Sequence, residues 1–340
     1  MIPSASDLFP RPLPQLLSIV IPVYNEETVI GLLQGRIRTL MEQLPCPVEC
    51  LIVNDGSRDG TLPLLAQWAS SDRRVKVLSL SRNFGHQNAA TAGLDYAAGE
   101  AVVLMDADLQ DPPELIPEML ERYAEGYDVV YAQRIAREGE GPVKKATAWL
   151  FYRFMRLMIH RDLPVDVGDY RLLSRPCLDA LREMRETHRF LRGMVAWVGF
   201  PQTAVRFRRP QRAAGSTKYT YRKMLRFAWN AALSFSALPL RILFGAGLVM
   251  ATGGFGYGIY AVCRVALGLY VVPGWTSLMV VQCIIGGSVL MGLGMVGSYV
   301  ARTFEEVKGR PLYVVAKSFN ITRAHAEPPS AIAAPFTEGR

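Results

Sequence analysis

Short apolar runs that hand over directly to acids constrain this chain more than any other feature. Leu17–Val23 (LSIVIPV) ends at Tyr24-Asn25-Glu26. Val48–Val53 (VECLIV) ends at Asn54-Asp55-Gly56-Ser57, and Ala101–Met105 ends at Asp106-Ala107-Asp108. Val75–Leu80 and Tyr127–Tyr131 complete a set of five predicted strands, with helical patterns such as Glu27–Leu44 and Thr61–Ser70 between them. Continuous apolar strands that alternate with helices predict an α/β fold built on a mainly parallel sheet covered on both faces. Ligands of such sheets bind beyond the carboxyl ends of the strands, which is where these polar clusters fall. One acid there would serve as a helix N-cap, a role open to Asp55 or Ser57. Three such loops at one edge predict a site.

The Asp106/Asp108 pair suits a hard divalent cation. Mg²⁺ or Mn²⁺ takes oxygen ligands and is commonly shared between one or two carboxylates and substrate phosphates. Such an ion neutralises a diphosphate leaving group as its bond breaks. No GxGxxG follows the first strand, and no GxxxxGK[ST] occurs anywhere, so dinucleotide-binding and P-loop readings lose their main support.

Uncharged sequence dominates the second half. Ile242–Cys263 is free of charge, and so is the stretch between Arg264 and Arg302, broken at Pro273-Gly274. A helix needs about 20 apolar residues to cross a bilayer, so both segments qualify as spans; a pair of buried core helices is the competing reading. Their glycines suit close helix packing in lipid and permit a homo-oligomer. The net charge of +8 is local, since Pro201–Arg241 contains nine Arg or Lys and no Asp or Glu. Basic flanks stay on the cytoplasmic side and attract anionic lipid. Nucleic-acid binding fits less well, because the basic run leads straight into lipid-compatible sequence. Tyr219–Phe235 mixes aromatic, apolar and basic residues at helical spacing, as an interfacial helix does. An ordinary packed amphipathic helix is its alternative. The five cysteines show no zinc spacing.

VIPVYNEE, VNDGSRDGT, SRNFGHQNAATAGLDYAAGE, MDADLQDPPE, VGDYRLLSR, HRFLRGMVAWVGF, AGSTKYTYRKML and EEVKGRPLYVV follow in this order. As a set, from Leu17 to Val315, they resemble the polyprenyl-phosphate glycosyltransferases. These are membrane-attached members of glycosyltransferase family 2 with a GT-A catalytic domain. The bactoprenol glucosyltransferase branch is the nearer likeness and dolichol-phosphate mannose synthase the more distant.

The resemblance implies transfer of one sugar, with inversion, from a nucleotide-sugar to polyprenyl phosphate at the cytoplasmic face of the inner or plasma membrane. UDP-glucose is the expected donor; GDP-mannose or a UDP-amino sugar is the alternative. It places Pro22, Tyr24, Glu26 and Asp55 in the nucleotide pocket. Asp106 and Asp108 would hold the donor through Mg²⁺ or Mn²⁺, with Gln110 as a further ligand. Asp169 would be the acceptor-side acid, and Arg134 would meet a phosphate. Arg171 and Arg175 follow Asp169 on the same predicted loop; by residue type they join Arg134, Lys144 and Lys145 as candidates for the acceptor phosphate. Position 86, often Lys in such sequences, is His here and receives no role. A lipid phosphate is already anionic at neutral pH, so Asp169 is expected to position the acceptor more than to remove a proton. A processive synthase would carry a TED-type acid and a QxxRW motif, and neither occurs. An idle nucleotide-sugar-binding scaffold would have lost the paired acids.

The expected organisation is a disordered lead (1–15), a catalytic domain (16–213) and amphipathic interface helices (214–238). Two transmembrane helices follow (239–301, at about 240–263 and 275–300), then a cytoplasmic segment (302–323) and a disordered tail (324–340).

Overall fold

A computed structural model describes residues 8–134, 167–207, 238–267 and 274–321. The chain divides into two compact units. Among the described residues, one comprises 8–134, 167–207 and 310–321; the other comprises 238–267 and 274–309.

The first unit is built on an eight-stranded sheet in the order β7-β5-β6-β4-β1-β2-β3-β8. Its first strands are β1 (Leu17–Val23), β2 (Val48–Asn54), β3 (Val75–Leu80) and β4 (Ala101–Leu104). They pair in parallel, β4 to β1, β1 to β2 and β2 to β3. Every residue of β1 and β2 is buried, as a strand covered on both faces requires. Helix α1 (Glu27–Gln43) buries Val29, Ile30, Leu33, Ile37, Leu40 and Met41, a stripe at helical spacing. Each such side chain contributes about 1.5–3 kcal/mol on burial. Helix α2 (Thr61–Ser71) follows β2.

Helix α3 (His86–Tyr96) lies unusually close to the sheet because it presents Ala89, Ala90, Ala92 and Gly93. A Cβ at Gly93 would lie 2.3 Å from Val20 Cγ1, so only glycine admits this approach. A 3₁₀ turn and helix α4 (Ile116–Ala124) follow β4.

Beyond β4 the structure departs from expectation. The fifth strand is displaced to Val129–Arg134 (β5) from the predicted Tyr127–Tyr131. The predicted GDYR loop is a strand, β6 (Val167–Ser174), buried throughout and antiparallel to both β4 and β5. Polar residues within it disguise a central strand, because their side chains find partners inside the fold. Helices α5 (Arg175–Glu183) and α6 (Leu191–Val198) follow, then β7 (Gln202–Phe207), parallel to β5. The last strand, β8 (Val315–Phe319), lies within the expected 302–323 segment and pairs antiparallel with β3. Asn320 locks its end, donating to the carbonyls of Ala69 and Val75 at 2.6 and 2.8 Å.

The expected disordered lead is anchored at Arg11. Arg11 donates to Asp128 and to the Tyr123 carbonyl, both at 2.9 Å, and stacks 4.3 Å above the Tyr123 ring. These partners are more than a hundred residues away, which hides the anchoring from a local reading. Residues 1–7, the 324–340 tail and all but the last residue of the 214–238 interface segment lie outside the described residues.

The second unit contains two long helices, α7 (Leu238–Ala266) and α8 (Trp275–Val307). Among the described residues one segment, Ile284–Val307, is long and apolar enough to cross a membrane, and none of it is buried. The apolar part of α7, Leu243–Tyr257, is shorter. The expected pair of membrane-crossing helices is therefore reduced to one candidate by length and composition. A Cβ at Gly292 would sit 3.5 Å from Leu243 Cδ2, whereas one at Gly286, Gly287 or Gly294 would meet nothing within 4 Å.

Candidate active site

The loops after β1 and β2 are knitted together at the carboxyl edge of the sheet. Asn25, at φ 53°, donates its amide to Ser57 Oγ and accepts from the Arg58 amide, both at 2.9 Å. The Glu26 amide donates to Thr61 Oγ1 at 3.0 Å. Pro22, Tyr24, Glu26 and Asp55, the expected nucleotide residues, thus share one edge, with Tyr24 exposed. Asp55 itself is buried and turned toward α3, accepting from the Phe84 and Gly85 amides at 2.7 and 3.0 Å. Burial pushes its carboxyl up, and the two amides oppose this.

Gly56, at φ 67°, makes the turn beside Asp55, and a Cβ there would lie 2.4 Å from the Arg82 carbonyl carbon. Gly56→Ala is expected to destabilise the domain by about 1–3 kcal/mol through the left-handed backbone and the clash. A thermal melt unchanged from wild type would refute that reading of the turn.

Asp106 and Asp108 follow β4 directly. The Gln110 amide donates to Asp108 Oδ1 at 3.1 Å, and the Asp106 amide to Asp111 Oδ2 at 3.3 Å. Leu109 between them takes φ 58°. Gln110 and Asp111 are buried, whereas Asp106 and Asp108 are half-buried at the edge. Burial and the charges of Asp169 and Asp108 raise the Asp106 carboxyl above the usual range, against the pull of His86. Acids held in mutual repulsion suit a divalent ion. Among the described residues no cluster of three or more His, Cys, Asp or Glu side chains makes a protein-only cage. Two carboxylates one residue apart at a strand end suit an ion shared with substrate phosphates.

Asp169 arrives from the other direction. Leu104 pairs with Arg171 in antiparallel register, so Asp169, two residues earlier on β6, comes opposite Asp106. The Tyr170 hydroxyl donates to the Pro112 carbonyl at 2.8 Å and fastens β6 to the loop behind the paired acids. Arg192 Nε donates to Asp169 Oδ1 at 2.7 Å, and Gln87 Nε2 to Oδ2 at 3.1 Å. Gln87 Oε1 accepts from the Leu191 amide at 2.9 Å, joining the starts of α3 and α6. Desolvation would raise the Asp169 carboxyl, but Arg192 and His86 outweigh it and hold the group well below the usual range. Asp169 thus accepts from two side-chain donors, Arg192 and Gln87, which favour its charged form.

His86 Nε2 stands 3.5 Å from both Asp106 Oδ1 and Asp169 Oδ2. Desolvation would lower its pKa, yet these two acids push it up to about 9. His86, Gln87 and Arg192 receive no role from the sequence, although SRNFGHQN contains the first two and HRFLRG the third. The available signal was two polar residues, His86-Gln87, directly after Gly85 at a helix start.

The other expected phosphate ligands are dispersed. Arg134 ends β5, which runs parallel to β7 in register Arg134↔Phe207, and so falls at the same sheet edge as Asp106. Lys144 and Lys145 lie outside the described residues. Arg171 is on the strand and not on a loop; it is buried and donates to the carbonyls of Gly168 and Asp169 at 2.9 and 3.2 Å. Burial lowers its guanidinium to about 10. Arg175 is at the opposite edge, one residue past the Ser174↔Ala101 pair, and donates to the carbonyls of Ala97 and Gly99. Asp169 and Arg175 lie near opposite ends of this extended strand, roughly 20 Å apart, so Arg175 cannot join the cluster around Asp169.

The glycosyl transferase family 2 profile matches residues 18–182. An uncharacterized glycosyltransferase of Bacillus subtilis, YkcC, is 47% identical over 304 residues, 89% of this chain and 94% of its own. A prophage bactoprenol glucosyl transferase homolog of Escherichia coli is 38% identical over 301 residues, 88% and 98% of the two chains. Among solved structures, glucosyl-3-phosphoglycerate synthase of Mycobacterium tuberculosis with Mn²⁺, UDP-glucose and phosphoglyceric acid matches at TM-score 0.43 and 16% identity, over 65% of this chain and 78% of that one. The chain belongs to glycosyltransferase family 2 and is a glycosyltransferase.

Proposed function

We propose that this enzyme transfers a single glucose from UDP-glucose to a polyprenyl phosphate at the cytoplasmic face of the membrane, with inversion. The relatives named bactoprenol glucosyl transferase, matched over nearly their whole length, support the acceptor class. The observation that carries the reading is the single imidazole placed 3.5 Å from both Asp106 and Asp169. It brings a donor-side acid pair and a cation-covered acid within one small site, as joining two phosphorylated substrates requires.

Asp106 and Asp108 would hold Mg²⁺ or Mn²⁺, which when bound offsets the charge of the departing nucleoside diphosphate. Pro22, Tyr24, Glu26 and Asp55 line the nucleotide side. A phosphate oxygen of the acceptor attacks the anomeric carbon as the bond to the diphosphate breaks. That oxygen is already ionised at neutral pH, so no side chain has to remove a proton. The depressed pKa of Asp169 and its two side-chain donors agree with a positioning role. Arg134 at the same edge would meet a phosphate.

Chain connectivity supports two crossings. The chain leaves the sheet unit before α7 and returns to it as β8, hydrogen-bonded to β3. If α8 crosses the bilayer, an even number of crossings is needed to bring β8 back to the same side. Helix α7, with 29 residues and a length of about 43 Å, supplies the other.

The test is purified protein in detergent with a polyprenyl phosphate, Mg²⁺ and a panel of labelled nucleotide-sugars. Label should enter the organic phase with UDP-glucose, stop on chelation with EDTA and return with Mg²⁺ or Mn²⁺. No label from any donor, in protein that still binds UDP, would sink the proposal.

A further inference from the structure

We propose that His86 is a further substrate-contacting residue, the group that meets the acceptor phosphate on the exposed side of Asp169. This rests on the functional reading above. The acid expected to face the acceptor is covered: the Asp169 side chain is 8% exposed, beneath Arg192 at 37% and His86 at 43%. An incoming molecule therefore meets nitrogen donors, not the carboxylate. An anionic acceptor would be repelled by a bare Asp169 and is accommodated by the donors that cover it.

His86 is the better placed of the two. Arg192 is committed to Asp169 at 2.7 Å, a full charge-assisted hydrogen bond. The contacts of His86 Nε2 to Asp106 and Asp169 are both 3.5 Å, longer than ordinary hydrogen bonds. Both neighbours are carboxylates, which only accept, so Nε2 carries its hydrogen while bound tightly to neither. Asp106 and Asp108 would together hold the divalent ion, and Nε2–H would remain beside the transfer site. The backbone supports this placement: Gly85 at φ 95° sets His86 at the start of α3, and Asp55 fixes the turn before it through the Phe84 and Gly85 amides.

The experiment measures steady-state kinetics with polyprenyl phosphate and nucleotide-sugar varied separately, alongside Mn²⁺–UDP binding by electron paramagnetic resonance. His86→Ala should raise the KM for the lipid phosphate about tenfold or more, with the donor KM and Mn²⁺–UDP affinity within about twofold of wild type. His86→Lys, which places another N–H donor at the same position, should return the lipid KM to within about threefold. If His86→Ala melts early, His86→Gln tests the same point with an amide donor and a full-sized side chain, and should give an intermediate lipid KM. A lipid KM unchanged in both variants, while the wild type transfers normally, overturns the role of His86 and leaves the functional reading standing. A rise confined to the donor KM, or weakened Mn²⁺–UDP binding, overturns it in favour of a donor-side role. Failure of the wild type to transfer to any lipid phosphate overturns the functional reading, and this assignment with it.

Discussion

Asp108→Asn should lower sugar transfer by on the order of 10³-fold while the protein melts within about 2 °C of wild type. The two effects separate because the side chain has two uses. Its Oδ1 accepts from the Gln110 amide and closes the turn after β4. Asparagine retains that oxygen in the same place, so the turn and the left-handed Leu109 within it are preserved. The charge is lost, and with it half of the acid pair that suits a divalent ion. Mn²⁺ binding in the presence of UDP should weaken in parallel, read by electron paramagnetic resonance. Full activity in the variant would remove Asp108 from the site. Lost activity with intact Mn²⁺–UDP binding would move its role from the metal to the sugar.

Much of the sheet was legible because its signal is local. The runs at β1, β2, β3 and β4 are predominantly apolar, with single polar residues such as Ser18, Glu49 and Lys76, and those at β1, β2 and β4 stop at polar loops. Burial on both faces demands the first property, and a ligand edge explains the second. The site was legible to the same extent: the acids of the loops were visible in the sequence. What covers Asp169 was not, because His86 and Gln87 come from α3 and Arg192 from α6, 83, 82 and 23 residues away. Strand β6 was misread as a loop for a related reason. Gly168, Asp169 and Arg171 look like surface residues until the partners that satisfy them are known. Placing Arg171 and Arg175 on one loop treated neighbours in sequence as neighbours at the site. A strand runs through that stretch and carries the two arginines toward opposite edges of the sheet.

Glu49→Ala should cost about 3 kcal/mol of stability, a fall of roughly 6–12 °C in melting temperature, without touching the carboxyl-edge site. Glu49 is the second residue of β2, at the amino edge, and is almost fully buried. It accepts from Ser18 Oγ on β1, from Lys76 Nζ on β3 and from the Ala98 amide before β4 at 2.8 Å. One carboxylate thus ties together the starts of four adjacent strands. Its removal strands Lys76 and two further donors, which is why truncating one partner of such a network costs more than the intact pair contributes. Desolvation pushes its carboxyl up, but Lys76, Ser18 and Ala98 outweigh it, so the folded pKa lies below the ordinary 4.5. A carboxyl depressed on folding contributes stability above its unfolded pKa and loses it as pH falls through the folded value. The gap between wild type and Glu49→Ala should therefore be full at pH 7 and narrow below about pH 4.5. A gap of constant size down to pH 3 would show that lost packing, not charge, causes the difference. The two ends of the sheet then divide the work by how their acids are satisfied. At the amino edge a carboxylate with every donor in place holds the strands together. At the carboxyl edge Asp106 stays above the usual carboxylate range beside Asp169 and Asp108, offset only in part by His86, an arrangement that suits a divalent ion and its substrate.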